Sequence, residues 1–330
     1  MTIIWCGGED IDFPNVDLDN YPSRRDTNYS RYGIQNQSYA FSKSTTTFSG
    51  ITSGWLHCLH YPYNTYTTPC IIGLFQSSDN KGICVGTDDS TKRKLNIRKY
   101  DGSSYTILAT ESGQSILAGN TQTIDVYFSG IGSNDNIKLY LDKELLIDYT
   151  GDLSVSGMTA LDSVYLFGYN STFGPVSIYS EIIVADVDTR LMHLKTLAPN
   201  AAGDLNEWTG SYTDIDETLM SDADVIYTQS AEDNFQCNLT NTPTGTFKVK
   251  AARVVVSATD AAAAFSLKVG VKTNSAVHLG SPHSLPAVWK AVEKIYQNNP
   301  ETSSEFTSTE IDNLQLAIRS TYSTTTTTTT

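Results

Sequence analysis

Ile124-Asp125-Val126-Tyr127-Phe128, Lys138-Leu139-Tyr140-Leu141 and Leu145-Leu146-Ile147-Asp148-Tyr149 are three short runs in which core-type and polar side chains take turns. A period of two puts alternate side chains on opposite faces of an extended chain, so each run reads as a β-strand with one face toward a core. Asp142-Lys143-Glu144 separates the second run from the third and makes the pair a hairpin.

The same pattern extends outward. Val164-Tyr165-Leu166-Phe167 and Ile178-Tyr179-Ser180-Glu181-Ile182-Ile183-Val184 are further strands, and Asp101-Gly102, Gly132-Ser133-Asn134-Asp135 and Thr150-Gly151-Asp152 supply turns between runs. Regularly punctuated short strands indicate a sandwich or jelly roll. Beyond Val187 the pattern breaks, and the small-residue stretch Ala198-Pro199-Asn200-Ala201-Ala202-Gly203-Asp204 marks a domain boundary. Strands resume at Phe247-Lys248-Val249-Lys250-Ala251, at Arg253-Val254-Val255-Val256 and over 265–272, which suits a second, smaller sandwich. Thr307 and Glu310 have capping-box spacing and predict one short helix over 308–314. Residues 287–298 stay open between helix and strand, because Val288, Trp289, Val292, Ile295 and Tyr296 recur at helical spacing. The expected organisation is an N-terminal sandwich over 1–198, a smaller sandwich over 199–322 and a threonine tail over 323–330.

With 330 residues, two modest cores are feasible. A formal net charge of −14 argues against nucleic acid and anionic membranes as partners. No stretch approaches the roughly 18 consecutive apolar residues of a membrane span. Thr2-Ile3-Ile4-Trp5-Cys6 runs into Gly7-Gly8-Glu9-Asp10 and reads as a strand and turn, which sets the expectation of synthesis and assembly in a cytoplasm. Cys6, Cys58, Cys70, Cys84 and Cys237 are odd in number, contain no Cys-x-x-Cys pair and read as buried free thiols.

Motifs for catalysis are scarce. There is no Walker loop, His-Glu-x-x-His or Gly-x-Ser-x-Gly elbow. Sandwich glycosidases set two acids about 5–9.5 Å apart, often as Glu-x-Asp-x-x-Glu along a strand. Only Glu310-Ile311-Asp312 begins that pattern, and Gln315 stands where its last acid belongs. The expectation is that the chain is not an enzyme. In His57-Cys58-Leu59-His60, strand alternation points His57 and Cys58 to opposite faces, against a zinc site. Calcium needs six to eight converging oxygens. The acidic turns at 77–81, 87–89 and 134–136 are possible donors, but each also reads as a solvated turn, and no cofactor or metal is expected. The Asn-x-Ser/Thr sequons at Asn28, Asn36, Asn170 and Asn238 read as chance in a chain rich in these residues. Tyr61-Pro62-Tyr63-Asn64-Thr65-Tyr66 is an aromatic loop, and Tyr61, Tyr63, Asn64 and Tyr66 are the candidate binding residues, for a glycan or for another subunit.

The opening Ile3-Ile4-Trp5-Cys6-Gly7-Gly8-Glu9-Asp10-Ile11-Asp12-Phe13 resembles the start of a family of tailed-phage particle proteins. Ile124-Asp125-Val126-Tyr127, Leu139-Tyr140-Leu141-Asp142 and Tyr149-Thr150-Gly151-Asp152 resemble a concanavalin A-like or laminin-G-like domain. The junction carries the most specific likeness. Ser180-Glu181-Ile182-Ile183-Val184-Ala185-Asp186-Val187-Asp188-Thr189-Arg190 leads into Thr196-Leu197-Ala198-Pro199-Asn200-Ala201-Ala202-Gly203-Asp204, then Trp208-Thr209-Gly210-Ser211-Tyr212 and Asp222-Ala223-Asp224. The resemblance spans nearly the whole chain. It departs at Leu141-Asp142-Lys143-Glu144, where the family often has Asp-Gly, and at Phe306-Thr307, where it often has Trp-Thr.

The resemblance implies an all-β chain, a concanavalin A-like jelly-roll sandwich followed by a smaller antiparallel β-sandwich. It further implies a structural component of the virion surface, as a head decoration, spike or tail-tip protein. Its partners would be other virion proteins and copies of itself in a cyclic multimer. The alternative is a receptor-binding module for host surface glycans. At the junction, Asp186, Asp188 and Arg190 are spaced to share a strand face and to lock the end of the first sandwich against Trp208; a plain surface loop is the other reading.

Overall fold

The computed structural model describes residues 2–7, 24–26, 33–36, 43–62, 70–88, 93–167, 177–216 and 224–323. The chain divides into two units, Met1–Leu194 and Lys195–Thr330.

Among the described residues the first unit carries fourteen strands: β1 (Ile3–Gly7), β2 (Arg24–Asp26), β3 (Gly33–Asn36), β4 (Lys43–Ile51), β5 (Gly54–Pro62), β6 (Ile72–Gln76), β7 (Lys81–Thr87), β8 (Leu95–Tyr100), β9 (Tyr105–Thr110), β10 (Gln122–Phe128), β11 (Asp135–Leu141), β12 (Glu144–Gly151), β13 (Leu161–Phe167) and β14 (Ser177–Ala185). They form two antiparallel sheets. One has the order β12-β11-β10-β5-β14-β3-β2, with β1 also on β14; the other runs β4-β13-β6-β7-β8-β9.

Alternation decides which side chains face inward. Leu56, Cys58, Ile124, Val126, Phe128, Ile137 and Leu139 of the first sheet meet Ile72, Leu74, Ile83, Val85, Ile97, Val164 and Leu166 of the second. Burying a Val, Leu, Ile or Phe side chain contributes about 1.5–3 kcal/mol, so this layer is the main source of the unit's stability. The gap left between the sheets is about 10 Å³, no more than one water fills.

The hairpin read from 138–149 is present, with Leu139 opposite Ile147. Its turn residues Asp142 and Lys143 both take positive φ, 49° and 74°. That is the two-residue turn whose twist matches a hairpin, and it favours Asn-Gly or Asp-Gly.

The second unit carries β15 (Pro199–Asn206), β16 (Asn234–Leu239), β17 (Ala252–Ala258), β18 (Phe265–Lys272), β19 (Val277–Leu279), β20 (His283–Ser284), β21 (Lys290–Tyr296), α1 (Ser308–Asp312) and β22 (Gln315–Tyr322). A sheet of order β15-β16-β22-β18-β19, with β20 also on β18, accompanies the two-stranded sheet β17-β21. Phe235, Leu267, Val269, Val292 and Ile318 form one core; Val271, Tyr296, Phe306, Ile311 and Leu314 form another. Thr307 caps α1 as a capping box: its Oγ1 accepts the Glu310 N–H, and Glu310 Oε2 accepts the Thr307 N–H at 2.7 Å.

The chain is therefore all-β, with a jelly-roll sandwich first and a smaller antiparallel sandwich second. One open reading is settled and two local expectations are corrected. Residues 287–298 hold a strand and no helix: Val292 and Tyr296 face the core, while Val288 and Trp289 are 68% and 39% exposed. Residues 247–251 are irregular, and the strand begins at Ala252. Pro199–Asn206, read as a connecting segment, is strand β15. A sheet-edge position tolerates Pro199, and Gly203 sits where any Cβ would meet the Gln236 backbone at 2.6 Å. The threonine tail from Thr324 onward lies outside the described residues.

Candidate functional site

Of the four aromatic-loop candidates only Tyr61 is described; Tyr63, Asn64 and Tyr66 lie outside the described residues. Tyr61 sits near the end of β5 and is 8% exposed, so its ring is committed to packing.

The acidic turns are engaged internally where they are described. Lys81 Nζ lies 2.6 Å from Asp79 Oδ2, and Gln76 donates to its Oδ1 at 3.0 Å; the bond from Lys81 is the main reason the carboxyl sits below its ordinary range. Asp135 Oδ2 accepts the Gly132 N–H at 2.6 Å, and Asn136 donates to Asp148 at 2.7 Å. Asp89 lies outside the described residues. Among the described residues no three His, Cys, Asp or Glu side chains are grouped to hold a metal ion. Among them, too, no helix is long and apolar enough to cross a membrane.

In His57-Cys58-Leu59-His60 the alternation holds. Cys58 faces the core, and its thiol is pushed well up by burial and, secondarily, by the Asp125 charge. His60 stacks on Tyr179 with ring centroids 5.1 Å apart, and burial lowers its imidazole to about 3, which keeps it neutral.

His57 faces the other way, and there the outer face of the larger sheet gathers a buried polar cluster. Register sets Tyr140 opposite Asp125 and Asp125 opposite His57, in one row across β11, β10 and β5. The neighbouring row holds Lys138, Tyr127 and Trp55. His57 Nδ1 donates to Asp125 Oδ1 at 2.8 Å, and Thr189 Oγ1 donates to the same oxygen at 2.7 Å. The three residues are 1%, 0% and 0% exposed. Among the described residues, His57 Nε2 and Asp125 Oδ2 have no hydrogen-bond partner.

Thr189 belongs to a strap, residues 186–194, that follows β14 and lies over this face. Asp186 starts it: Oδ1 accepts the Thr2 N–H at 2.6 Å, and the Asp186 N–H donates to the Thr2 carbonyl at 3.1 Å. Arg190 donates to Asp188 from Nε at 2.9 Å, and its guanidinium lies 4.5 Å from the Tyr140 ring centroid and 5.6 Å from that of Trp55. The bond from Arg190 is the main cause of a lowered Asp188 carboxyl. His193 Nδ1 meets Glu181 Oε2 at 2.9 Å. Glu181 takes φ +49° at the β14 bulge, a conformation costing about 1–2 kcal/mol for a residue with a Cβ.

This corrects the junction reading. Arg190 locks against Trp55 and Tyr140, while Trp208 packs in the second unit's core and donates from Nε1 to the Asp233 carbonyl at 3.1 Å. Sequence reasoning also passed over His57–Asp125 as a pair. A carboxylate-oriented imidazole has the geometry of a general base. Here the imidazole is buried and Thr189 of the strap shares its carboxylate, so in this conformation the trio acts as a latch.

No family model matches the chain, and no curated protein matches it. Solved structures do. It is similar to alginate lyase Aly36B at 12% identity, over 50% of this chain and 82% of that one, with a TM-score of 0.32. It is similar to the endo-β-1,4-glucuronan lyase of the fungus Trichoderma reesei at 9% identity, over 56% and 96%, TM-score 0.39. It is similar to the SAP-like pentraxin of Limulus polyphemus at 12% identity, over 48% and 77%, TM-score 0.33. These likenesses are likenesses of fold. They overturn the expectation that the chain is not an enzyme: sandwiches of this kind include lyases, so one missing glycosidase pattern does not exclude catalysis.

Proposed function

We propose that the chain is a structural component of a tailed-phage particle, a head decoration, spike or tail-tip protein on the virion surface. It acts by packing against other virion proteins and copies of itself in a cyclic multimer. One observation carries the reading. The junction residues that bear the phage-family resemblance, Asp186, Asp188, Thr189 and Arg190, close the outer face of the large sheet. A motif spent on bracing a sandwich suits a part that must stay rigid in an assembly. The net charge of −14 fits contacts with protein better than with nucleic acid.

A second reading, a receptor-binding module for host surface glycans, draws on the other sheet. The half-buried Tyr100 and Tyr105 pair at 4.4 Å, rings of the type sugars stack on, while Phe75 and Tyr165 beside them are buried.

The test is a reconstruction of purified particles together with sedimentation of the pure chain. Density for the chain in symmetric copies, and a multimer in solution, are expected. A monomer absent from the particle overturns the assembly reading. Particles that assemble but no longer adsorb when Tyr100 and Tyr105 are replaced by Ala favour the second.

A further inference from the structure

Among the described residues, most sheet edges carry features that discourage pairing. β15 contains Pro199 and Gly203 and slips register twice against β16. β9 is bulged against β8, β4 against β13, and β12 against β11, with Glu144 and Asp148 on β12. β2, β19 and β20 are two or three residues long. Prolines, bulges, charges and shortness are the usual protections of an exposed edge.

β17 lacks most of them. Ala252-Arg253-Val254-Val255-Val256-Ser257-Ala258 pairs with β21 over all seven residues without a register shift. It has no proline, glycine or acid and one cation. β21 is its only strand partner among the described residues, and all seven residues are half-buried. Val254 and Val256 pack against the core; Val255 is on the opposite face by alternation.

The segment is also nearly symmetric about Val255. We propose that β17 is a self-association edge that pairs antiparallel with β17 of a second copy of this chain, across a two-fold axis at Val255. The pairing sets Ala252 opposite the partner's Ala258 and Val254 opposite the partner's Val256, so the core-side face stays apolar. On the other face Arg253, whose Nε donates to Glu293 of β21 at 2.7 Å, stands opposite the partner's Ser257 and Val255 stands opposite its own counterpart, which keeps the two arginines at opposite ends. A two-fold interface requires this self-complementarity. The outer edge of β21 lacks it: an axis at Glu293 sets two carboxylates opposite each other and Lys294 opposite Val292. The result is a continuous sheet β21-β17-β17-β21. The inference deepens the assembly reading by naming the surface on which copies meet, and it rests on that reading for the claim that they meet at all.

The test is Val255→Cys, oxidised with a small disulfide such as oxidised glutathione. Two protein thiols become one disulfide, and the reagent leaves as two thiols. All five native cysteines are buried, so the new thiol is the accessible one. Opposed strand residues lie about 4.5–5.5 Å apart between Cα atoms, within disulfide reach. Ser257→Cys is the control: the two copies of that position lie four residues, about 13 Å, apart along the strand. A covalent dimer with Val255→Cys and none with Ser257→Cys is expected. In the native chain, β17 amides should gain exchange protection as concentration rises. Equal cross-linking at both positions, or none with a chain that still sediments as a multimer, overturns the β17 pairing and leaves the assembly reading standing. A chain that is monomeric at every concentration overturns both.

Discussion

Replacing Asp125 by Ala removes the acceptor shared by His57 and Thr189. The imidazole N–H and the threonine hydroxyl, now bonded at 2.8 and 2.7 Å, would each lose a buried partner. A buried donor left unsatisfied costs about 1–3 kcal/mol, and two are stranded here. The first unit should lose about 2–6 kcal/mol, a large share of the roughly 5–15 kcal/mol of a typical domain. Urea unfolding followed by tryptophan fluorescence reads this directly, since Trp5 and Trp55 lie in the first unit. Trypsin supplies a second readout. The Arg190–Leu191 bond should resist cleavage in the native chain, where Arg190 is stacked on Tyr140, and become sensitive once the latch is cut. Adding His57→Leu to the Asp125 variant removes one stranded donor and should recover about 1 kcal/mol or more. A loss within about 0.5 kcal/mol for Asp125→Ala, the scatter of neutral surface changes, would refute the latch.

Lys143→Gly should stabilise the first unit by about 0.5–1 kcal/mol, because Lys143 sits at φ +74° in a turn that favours glycine, and a raised thermal midpoint checks it. Gly82→Ala should destabilise it by about 1–3 kcal/mol in the same assay, since a Cβ there would meet the Leu74 carbonyl oxygen at 2.3 Å and the Phe75 ring at 2.6 Å. Asp152 is lowered from 3.8 to about 2, chiefly by the Lys99 ammonium and then by Ser154. A depressed carboxyl contributes stability that is complete above about pH 4 and lost as pH falls toward about 2. The stability gap between the native chain and Lys99→Met should therefore narrow over that interval, and a gap constant with pH would count against the pairing.

The strands were legible where one face is buried and the other is polar. The 124–149 runs, the turn between them and the Thr307–Glu310 cap all come from local chemistry, and local chemistry sufficed for them. Residues 287–298 stay open in the sequence because two periods coincide there. Val288, Val292, Ile295 and Tyr296 fit a helix, while Val292 and Tyr296 also fit a strand if position 294 can face inward. Lys294 does so by laying its stem along the sheet, with its ammonium 5.7 Å from the Tyr296 ring centroid. A long cationic side chain on a core face hides a strand from any reading by hydrophobicity alone. At 247–251 the opposite happened: alternation was present, but the strand that β21 pairs with starts at Ala252.

The latch was out of reach for a different reason. His57 and Asp125 are 68 residues apart, and Thr189 is 64 beyond Asp125. They meet because β5 and β10 are sheet neighbours while the strap folds back over both, and neighbour order is a property of topology that composition does not carry. The available signal was parity. His57 and Asp125 each occupy the outward position of a strand whose inward positions are apolar, and a histidine and an aspartate that both face away from a core are expected to meet water. They are buried instead because Thr189, Arg190 and His193 each find a partner on the face beneath them. The junction Asp-x-Asp-Thr-Arg was visible as a motif, but its target was misassigned to Trp208. Two aromatic rings already side by side on a pleated sheet, Trp55 and Tyr140 at 5.8 Å, give a guanidinium a ready stacking surface within its own unit. The strap is held by contacts made to a finished sheet, so its anchors can be read only after the sheet's strand order is known.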